Sequence, residues 1–294
     1  MRRSTNIAGA NGATGLELAR AEPGQLRLRI ASGLALAPLP IAAIWFGGVW
    51  LASLTALAAA VMAWEWGRLC RGDRSDTSDG IPIEIVLVGV VVATVAISAL
   101  GTTGFAVAAA LTGAGIVFWA TPRGPDTKPQ WTALGVLWVA LPCISLLWLA
   151  RQEAGGRATL LWLLGVVWAT DIGAYAIGRS LGGPRLAPRW SPRKTWTGFV
   201  GGTVCAALAG GVTALTLGVA STAPLILVSA GLAIVAQFGD LAESLAKRRF
   251  GVKDSSGLIP GHGGLLDRLD GLLAAIPAVA LLTLIGGHSV VTWQ

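Results

Sequence analysis

The chain is short of charge. Only 13% of its 294 residues are Asp, Glu, Lys or Arg, against about 25% in an ordinary soluble domain. With 54% hydrophobic residues and a mean hydropathy of +0.68, this deficit excludes a conventional water-soluble fold. Cysteine is scarce as well. Cys70, Cys143 and Cys205 form an odd, scattered set in or near apolar segments. That excludes a disulfide framework or a cysteine metal site, and the three read as small hydrophobes. No GxxxxGK[ST] phosphate loop is present, which excludes a P-loop nucleotide site. No internal repeat is evident. Residues 1–26 are polar and Gly/Ala-rich, and no apolar core follows Arg2-Arg3, so neither a Sec nor a twin-arginine signal is expected there.

What is there in abundance is long apolar runs. A bilayer-spanning helix needs about 20 such residues. About nine spans are expected, near 28–46, 48–66, 82–100, 102–120, 132–150, 159–178, 198–219, 223–243 and 269–287. The fold class is therefore all-α, a polytopic integral membrane protein. Residues 1–26 form a polar cytoplasmic tail and 27–150 the N-terminal transmembrane helices. Residues 151–294 form a C-terminal region with two long polar loops, 179–197 and 244–268, where any chemistry is expected.

The net charge is +7 and the sequence pI about 10.2. In a soluble protein that would suggest nucleic acid. Here the basic residues fall in short loops between apolar runs, so orientation and anionic lipid explain them, and no nucleic-acid partner is expected. With an inside N-terminus and nine spans, all 22 Lys and Arg except Arg151 and Arg157 fall on the cytoplasmic side. Such asymmetry is the positive-inside pattern. Trp45, Trp50, Trp64 and Trp66 lie near span ends, where an aromatic belt is expected.

The few acids are placed tellingly. Asp171 sits inside an apolar run, and Asp240 and Glu243 at the end of another. A carboxylate there is costly and faces a polar cavity or a partner. The stretch from Asp240 to Asp270 is the densest in charge. Asp240, Glu243 and Lys247 are spaced i, i+3, i+7 on one helix face, and Asp267 and Asp270 i, i+3 on another. Between them a basic loop carries Gly251, Gly257, Gly261, Gly263 and Gly264, whose backbone can approach an anion closely. Carboxylates on two helix ends suit a hard cation bridging phosphates, as Mg²⁺ does. The bland alternative, a solvated loop, explains the Lys and Arg but not the acids. In the other loop Arg185, Arg193 and Lys194 can neutralise phosphate, and Ser191 and Thr195 can donate hydrogen bonds. His262 lies between two glycines and is a candidate substrate contact.

The run from Ser244 to Asp270, SLAKRRFGVKDSSGLIPGHGGLLDRLD, closely resembles the signature of phosphatidate cytidylyltransferases (CDP-diacylglycerol synthases). Asp171–Gly178, Ser191–Trp196 and Trp64-Glu-Trp66 also look like blocks of that family. The resemblance implies transfer of CMP from CTP to phosphatidic acid, with Mg²⁺ and an optional second, monovalent cation such as K⁺. It implies a homodimer in a bacterial-type inner membrane, among membrane lipids, with the active site facing the cytoplasm. By motif position it implies Asp240, Lys253, Asp254, His262, Asp267 and Asp270 as catalytic, and Asp240, Asp267 and Asp270 as metal ligands. Substrate contacts are implied for Asp171, Tyr175, Ser191, Arg193, Lys194, Thr195, Lys247, Arg248, Gly263, Gly264 and Arg268. Thr197 departs from the family, which often has Glu there. Two other classes compete. A CDP-alcohol phosphatidyltransferase would carry DGxxAR, which is absent. A transporter with Asp171 and Asp240 on an ion path would show two similar halves, which are not seen.

Overall fold

The computed structural model describes residues 37–71, 82–124, 127–153, 155–219, 221–258 and 263–292. Among them are nine α-helices: α1 (Pro38–Phe46), α2 (Gly48–Arg71), α3 (Ile83–Ala99), α4 (Thr103–Ala120), α5 (Pro129–Ala150), α6 (Gly156–Leu181), α7 (Trp196–Leu217), α8 (Ala223–Arg249) and α9 (Leu266–Gly286). Seven, α2 and α4 to α9, are long and apolar enough to cross a membrane. Helix α3 has 17 residues, a length of about 26 Å against a hydrocarbon core of about 30 Å. Of the first expected span, residues 28–36 lie outside the described residues.

The helices pack in two neighbouring sets. Helices α2, α3, α4 and α5 contact one another in a first set, and α6, α7 and α8 in a second; α9 packs on α5, α2, α6 and α8, so it touches both. In the second set, small residues let backbones close up. A Cβ on Gly198 or Gly202 of α7 would lie 2.8 Å from the Ala174 carbonyl or 2.7 Å from that of Thr170, both on α6. In the first set, the Trp66 ring fills the space above Gly135 of α5, and its Nε1 donates to the Trp131 carbonyl at 2.8 Å. Trp66 is therefore buried core, not the interfacial belt residue its position suggested. Trp45 and Trp50 are exposed, and Trp64 lies under the Arg68 guanidinium.

Two expected loops are more ordered than composition implied. Residues 179–197 contain a short antiparallel hairpin, β1 (Arg185–Ala187) and β2 (Ser191–Thr195). Gly182, at φ 61° and ψ −149°, ends α6. Thr195 then starts α7 as its N-cap, accepting from Gly198 N at 3.1 Å, a bond that satisfies an otherwise orphan first-turn donor. Thr197 binds the Gly182 carbonyl through its hydroxyl and so ties the two helix ends together. The second loop, 244–268, begins as helix. Helix α8 runs on to Arg249, supported by the i, i+4 pair Glu243–Lys247.

Candidate functional site

The α9 N-terminus packs beside the charged C-terminal end of α8, with the hairpin and the ends of α6 and α7 around them. Gly239 makes this approach possible: a Cβ there would lie 2.5 Å from Ala274 Cβ and 2.8 Å from the Asp270 carbonyl. From α8, Asp240 forms an ion pair with Lys194 of β2 and accepts from Ser244 Oγ at 3.4 Å. One turn on, Glu243 and Lys247 face α9. Lys247 Nζ lies 3.2 Å from Glu243 Oε1 and 2.5 Å from Asp267 Oδ1, and all three side chains are buried or nearly so. The acids expected on one face of α8 thus diverge, Asp240 toward the hairpin and Glu243 toward α9.

Asp267 is saturated. Its Oδ2 accepts from Ser255 N, Ser255 Oγ and Gly264 N, each at 2.9 Å, while Oδ1 takes Lys247. Gly263, at φ 85°, brings the chain so close that a Cβ would lie 2.9 Å from Asp267 Oδ2. Asp270 accepts from its neighbour's backbone, Gly271 N, at 2.8 Å, and feels the negative charges of Asp171, Asp240 and Glu243. Asp171 in turn feels Asp240, Lys194 and Arg268. Glu243 Oε2 is buried with no hydrogen-bond partner. Among the described residues, no three His, Cys, Asp or Glu side chains converge closely enough to form a ready-made metal centre.

Two clefts open on this cluster. The larger, about 420 Å³, lies between α6, α7 and α8 and is lined by Asp171, Tyr175, Arg193, Lys194, Thr195 and Asp240, with Phe199 and Gln237. The smaller, about 160 Å³, lies between the hairpin, α8 and the following loop. It is lined by Ser191, Arg193, Lys247, Arg248, Lys253 and Asp254. Arg193 stands in the wall of both. Eleven of the residues expected from the sequence therefore face these clefts. Thr195 does so with its hydroxyl already committed to the α7 cap. Asp267, Asp270, Gly263, Gly264 and Arg268 are in neither lining; Asp267 and Gly264 stand behind Lys247 as its support. His262 lies outside the described residues.

Sequence reasoning gave no role to two groups, Gln237 and the Glu65 of the Trp64-Glu-Trp66 block. Gln237 lines the larger cleft and ties α8 to α7 through the Phe199 carbonyl and Thr203 Oγ1, both at 3.3 Å. Glu65 of α2 is fully buried and accepts from Ser256 Oγ (2.5 Å), Leu265 N (2.9 Å), Leu266 N (2.8 Å) and Ser255 Oγ (3.3 Å). A carboxylate within an apolar span was the available signal for Glu65.

Residues 27–285 match the sequence profile of the cytidylyltransferase family. A protein from Brucella suis named phosphatidate cytidylyltransferase is 40% identical over 265 residues, covering 89% of this chain and 93% of that protein. The chain belongs to the cytidylyltransferase family. A Pseudomonas aeruginosa protein of the same name is 33% identical over 269 residues, covering 87% of this chain and 96% of its own length. A Haemophilus influenzae one is 43% identical over 127 residues, 42% of this chain and 44% of that protein. As a cytidylyltransferase the chain is a nucleotidyltransferase, and the polar cluster at its helix ends is the candidate active site.

Proposed function

We propose that the chain transfers CMP from CTP to phosphatidic acid, giving CDP-diacylglycerol and pyrophosphate. The observation that carries this reading is the pair of clefts sharing Arg193, one basic and one running among membrane helices. The basic cleft takes the triphosphate of CTP, where Arg193, Lys247, Arg248 and Lys253 offset its charge. The larger cleft takes the lipid headgroup. Ile172, Trp196 and Phe238 on its helices are exposed and offer the acyl chains a surface to follow within the bilayer.

In the reaction a phosphate oxygen of the lipid attacks the α-phosphorus of CTP. The bond from that phosphorus to the bridging oxygen breaks, and its electron pair leaves with pyrophosphate. A phosphate monoester has a second pKa of about 6, so the lipid nucleophile is already largely anionic at neutral pH and needs no strong base. The difficulty is bringing two polyanions together and holding the leaving charge. Lys194 and Arg193 orient the lipid phosphate; Lys247, held by Glu243 and Asp267, presents a fixed ammonium to the nucleotide.

The donor set suits Mg²⁺. Asp270 feels the negative charge of Asp171, Asp240 and Glu243, and Asp240 acts on both Asp171 and Glu243. One or two of Asp171, Asp240 and Asp270 are proposed to hold the ion, since Mg²⁺ needs only one or two carboxylates alongside phosphate oxygens. Bound there, it would offset the negative charge of the phosphates that meet where the clefts join. The Lys/Arg asymmetry supports a site facing the cytoplasm of a bacterial-type inner membrane. A homodimer is proposed on the family resemblance alone.

Incorporation of radiolabel from CTP into extractable lipid tests the reading. Label should appear with phosphatidic acid and Mg²⁺ and not with diacylglycerol. Transfer from a CDP-lipid to an alcohol acceptor instead, with none from CTP, would overturn it.

A further inference from the structure

We propose that Glu65 is a positioning residue for the nucleotide side of the site, acting from α2 through Ser255, Ser256 and the first turn of α9. The proposal rests on the cytidylyltransferase reading above. A helix exposes unpaired N–H groups at its start, and a side-chain oxygen of the N-cap residue ordinarily meets them. The N-cap of α9 is Leu265, which has no such oxygen. The missing acceptor comes from 200 residues earlier in the chain: Glu65 receives Leu265 N and Leu266 N, one on each carboxylate oxygen. Its negative charge there also complements the helix dipole.

The same carboxylate gathers the preceding loop. Oε1 accepts from Ser256 Oγ and Oε2 from Ser255 Oγ. These serines directly follow Lys253 and Asp254, which line the basic cleft. Ser255 also donates to Asp267, the residue that holds Lys247. Loop, helix start and the Lys247 support thus share one anchor. Gly264 leaves the room for it, because a Cβ there would lie 2.0 Å from Ser255 Oγ and 2.5 Å from Glu65 Oε1. The anchor's own base is firm. Trp66 is wedged against Gly135 of α5, and a Cβ on Gly67 would lie 2.8 Å from Glu84 Cγ of α3.

The partners of Glu65 line neither cleft, but they lead to the nucleotide side: Ser255 and Ser256 follow Lys253 and Asp254 in the chain, and Ser255 holds Asp267, the support of Lys247. The larger cleft is lined from α6, α7, α8 and the hairpin, and none of its lining residues is bonded to Glu65. Loss of the carboxylate therefore affects the two substrates unequally. Glu65→Gln keeps the shape but turns an NH₂ toward donors.

The test uses the purified full chain in detergent, with CTP and phosphatidic acid varied in turn and thermal unfolding measured alongside. Glu65→Gln is expected to raise the KM for CTP at least about tenfold with the lipid KM changed less than about twofold, and Ser256→Ala to shift the CTP KM the same way by less. Hydrogen exchange of the peptide covering Gly264–Leu266 is expected to quicken in Glu65→Gln without substrate, while peptides of α8 stay as in wild type. A fall in Vmax alone, in step with the folded fraction, with unchanged KM values and unchanged exchange, overturns the proposal. If Glu65→Gln does not fold, Ser256→Ala decides by the same KM split, and wild-type values in it overturn the proposal. If the wild-type chain transfers no CMP, the functional reading fails, and the exchange comparison still decides the positioning role.

Discussion

Replacing Asp267 by Asn separates a clamp from a metal ligand. The side chain is 6% exposed and its Lys247 partner 10%, so both charges are largely withdrawn from water. The carboxylate accepts four hydrogen bonds, three on Oδ2 and one on Oδ1. An amide of the same shape accepts on one side only. If its oxygen faces Ser255 and Gly264, its NH₂ meets the Lys247 ammonium; if it faces Lys247, the NH₂ meets two backbone N–H groups. Hydrogen bonds to a charged group are worth about 1.5–3 kcal/mol each. Lys247 keeps Glu243 at 3.2 Å, so no lone buried charge results, and the cost stays below the roughly 3–5 kcal/mol of a fully broken buried pair. A local loss of about 3 kcal/mol corresponds to about a hundredfold in kcat/KM if the docked loop is required. CMP transfer by Asp267→Asn, assayed at limiting and at tenfold higher Mg²⁺ beside a thermal unfolding curve, should show that loss at both concentrations and a lowered Tm. Recovery of turnover at high Mg²⁺ with a wild-type Tm would refute the clamp and make Asp267 a metal ligand.

Three further outcomes are expected. Lys194→Ala removes the partner of Asp240 in the larger cleft, and should cut kcat/KM at least about tenfold in neutral detergent; a defect seen only in anionic bilayers would make Lys194 a lipid-surface residue. Gly264→Ala forces a methyl into the space between Ser255 and Glu65 and should destabilise the protein by about 1–3 kcal/mol, so a wild-type Tm and activity would contradict the close approach. Reporter fusions should read cytoplasmic within residues 179–197 and external after residue 219, and the reverse would sink the charge-based orientation.

The helices were legible because each is a local property. An apolar run near 20 residues long bounded by Gly, Pro or charge marks itself, and α2 to α9 fall close to the expected spans. Asp171, Asp240 and Lys194 were legible because charge is so costly beside hydrocarbon that its presence needs a reason. What stayed hidden depends on partners far off in sequence. Trp66 reads as an interfacial aromatic until Gly135 is seen to receive its ring. Glu65 reads as one acid among tryptophans until the α9 start, with no acceptor at Leu265, arrives above it. The hairpin was missed because a segment rich in Pro and Arg has little strand signal; a two-stranded ribbon forms there because flanking helices hold its ends.

That ribbon has little stability of its own, as isolated two-stranded hairpins rarely do. Its pose on α8 is set by the Lys194–Asp240 pair and by Arg248 Nε reaching the Trp190 carbonyl at 3.4 Å. Both contacts end on groups that a charged ligand would compete for. Whatever draws Arg248 or Asp240 toward itself in one cleft also loosens a wall of the other, since Ser191 and Arg193 travel with the same strand. Occupancy of one cleft would then be felt in the other through this strap, and at high ionic strength, where partly exposed ion pairs weaken, that coupling should fade.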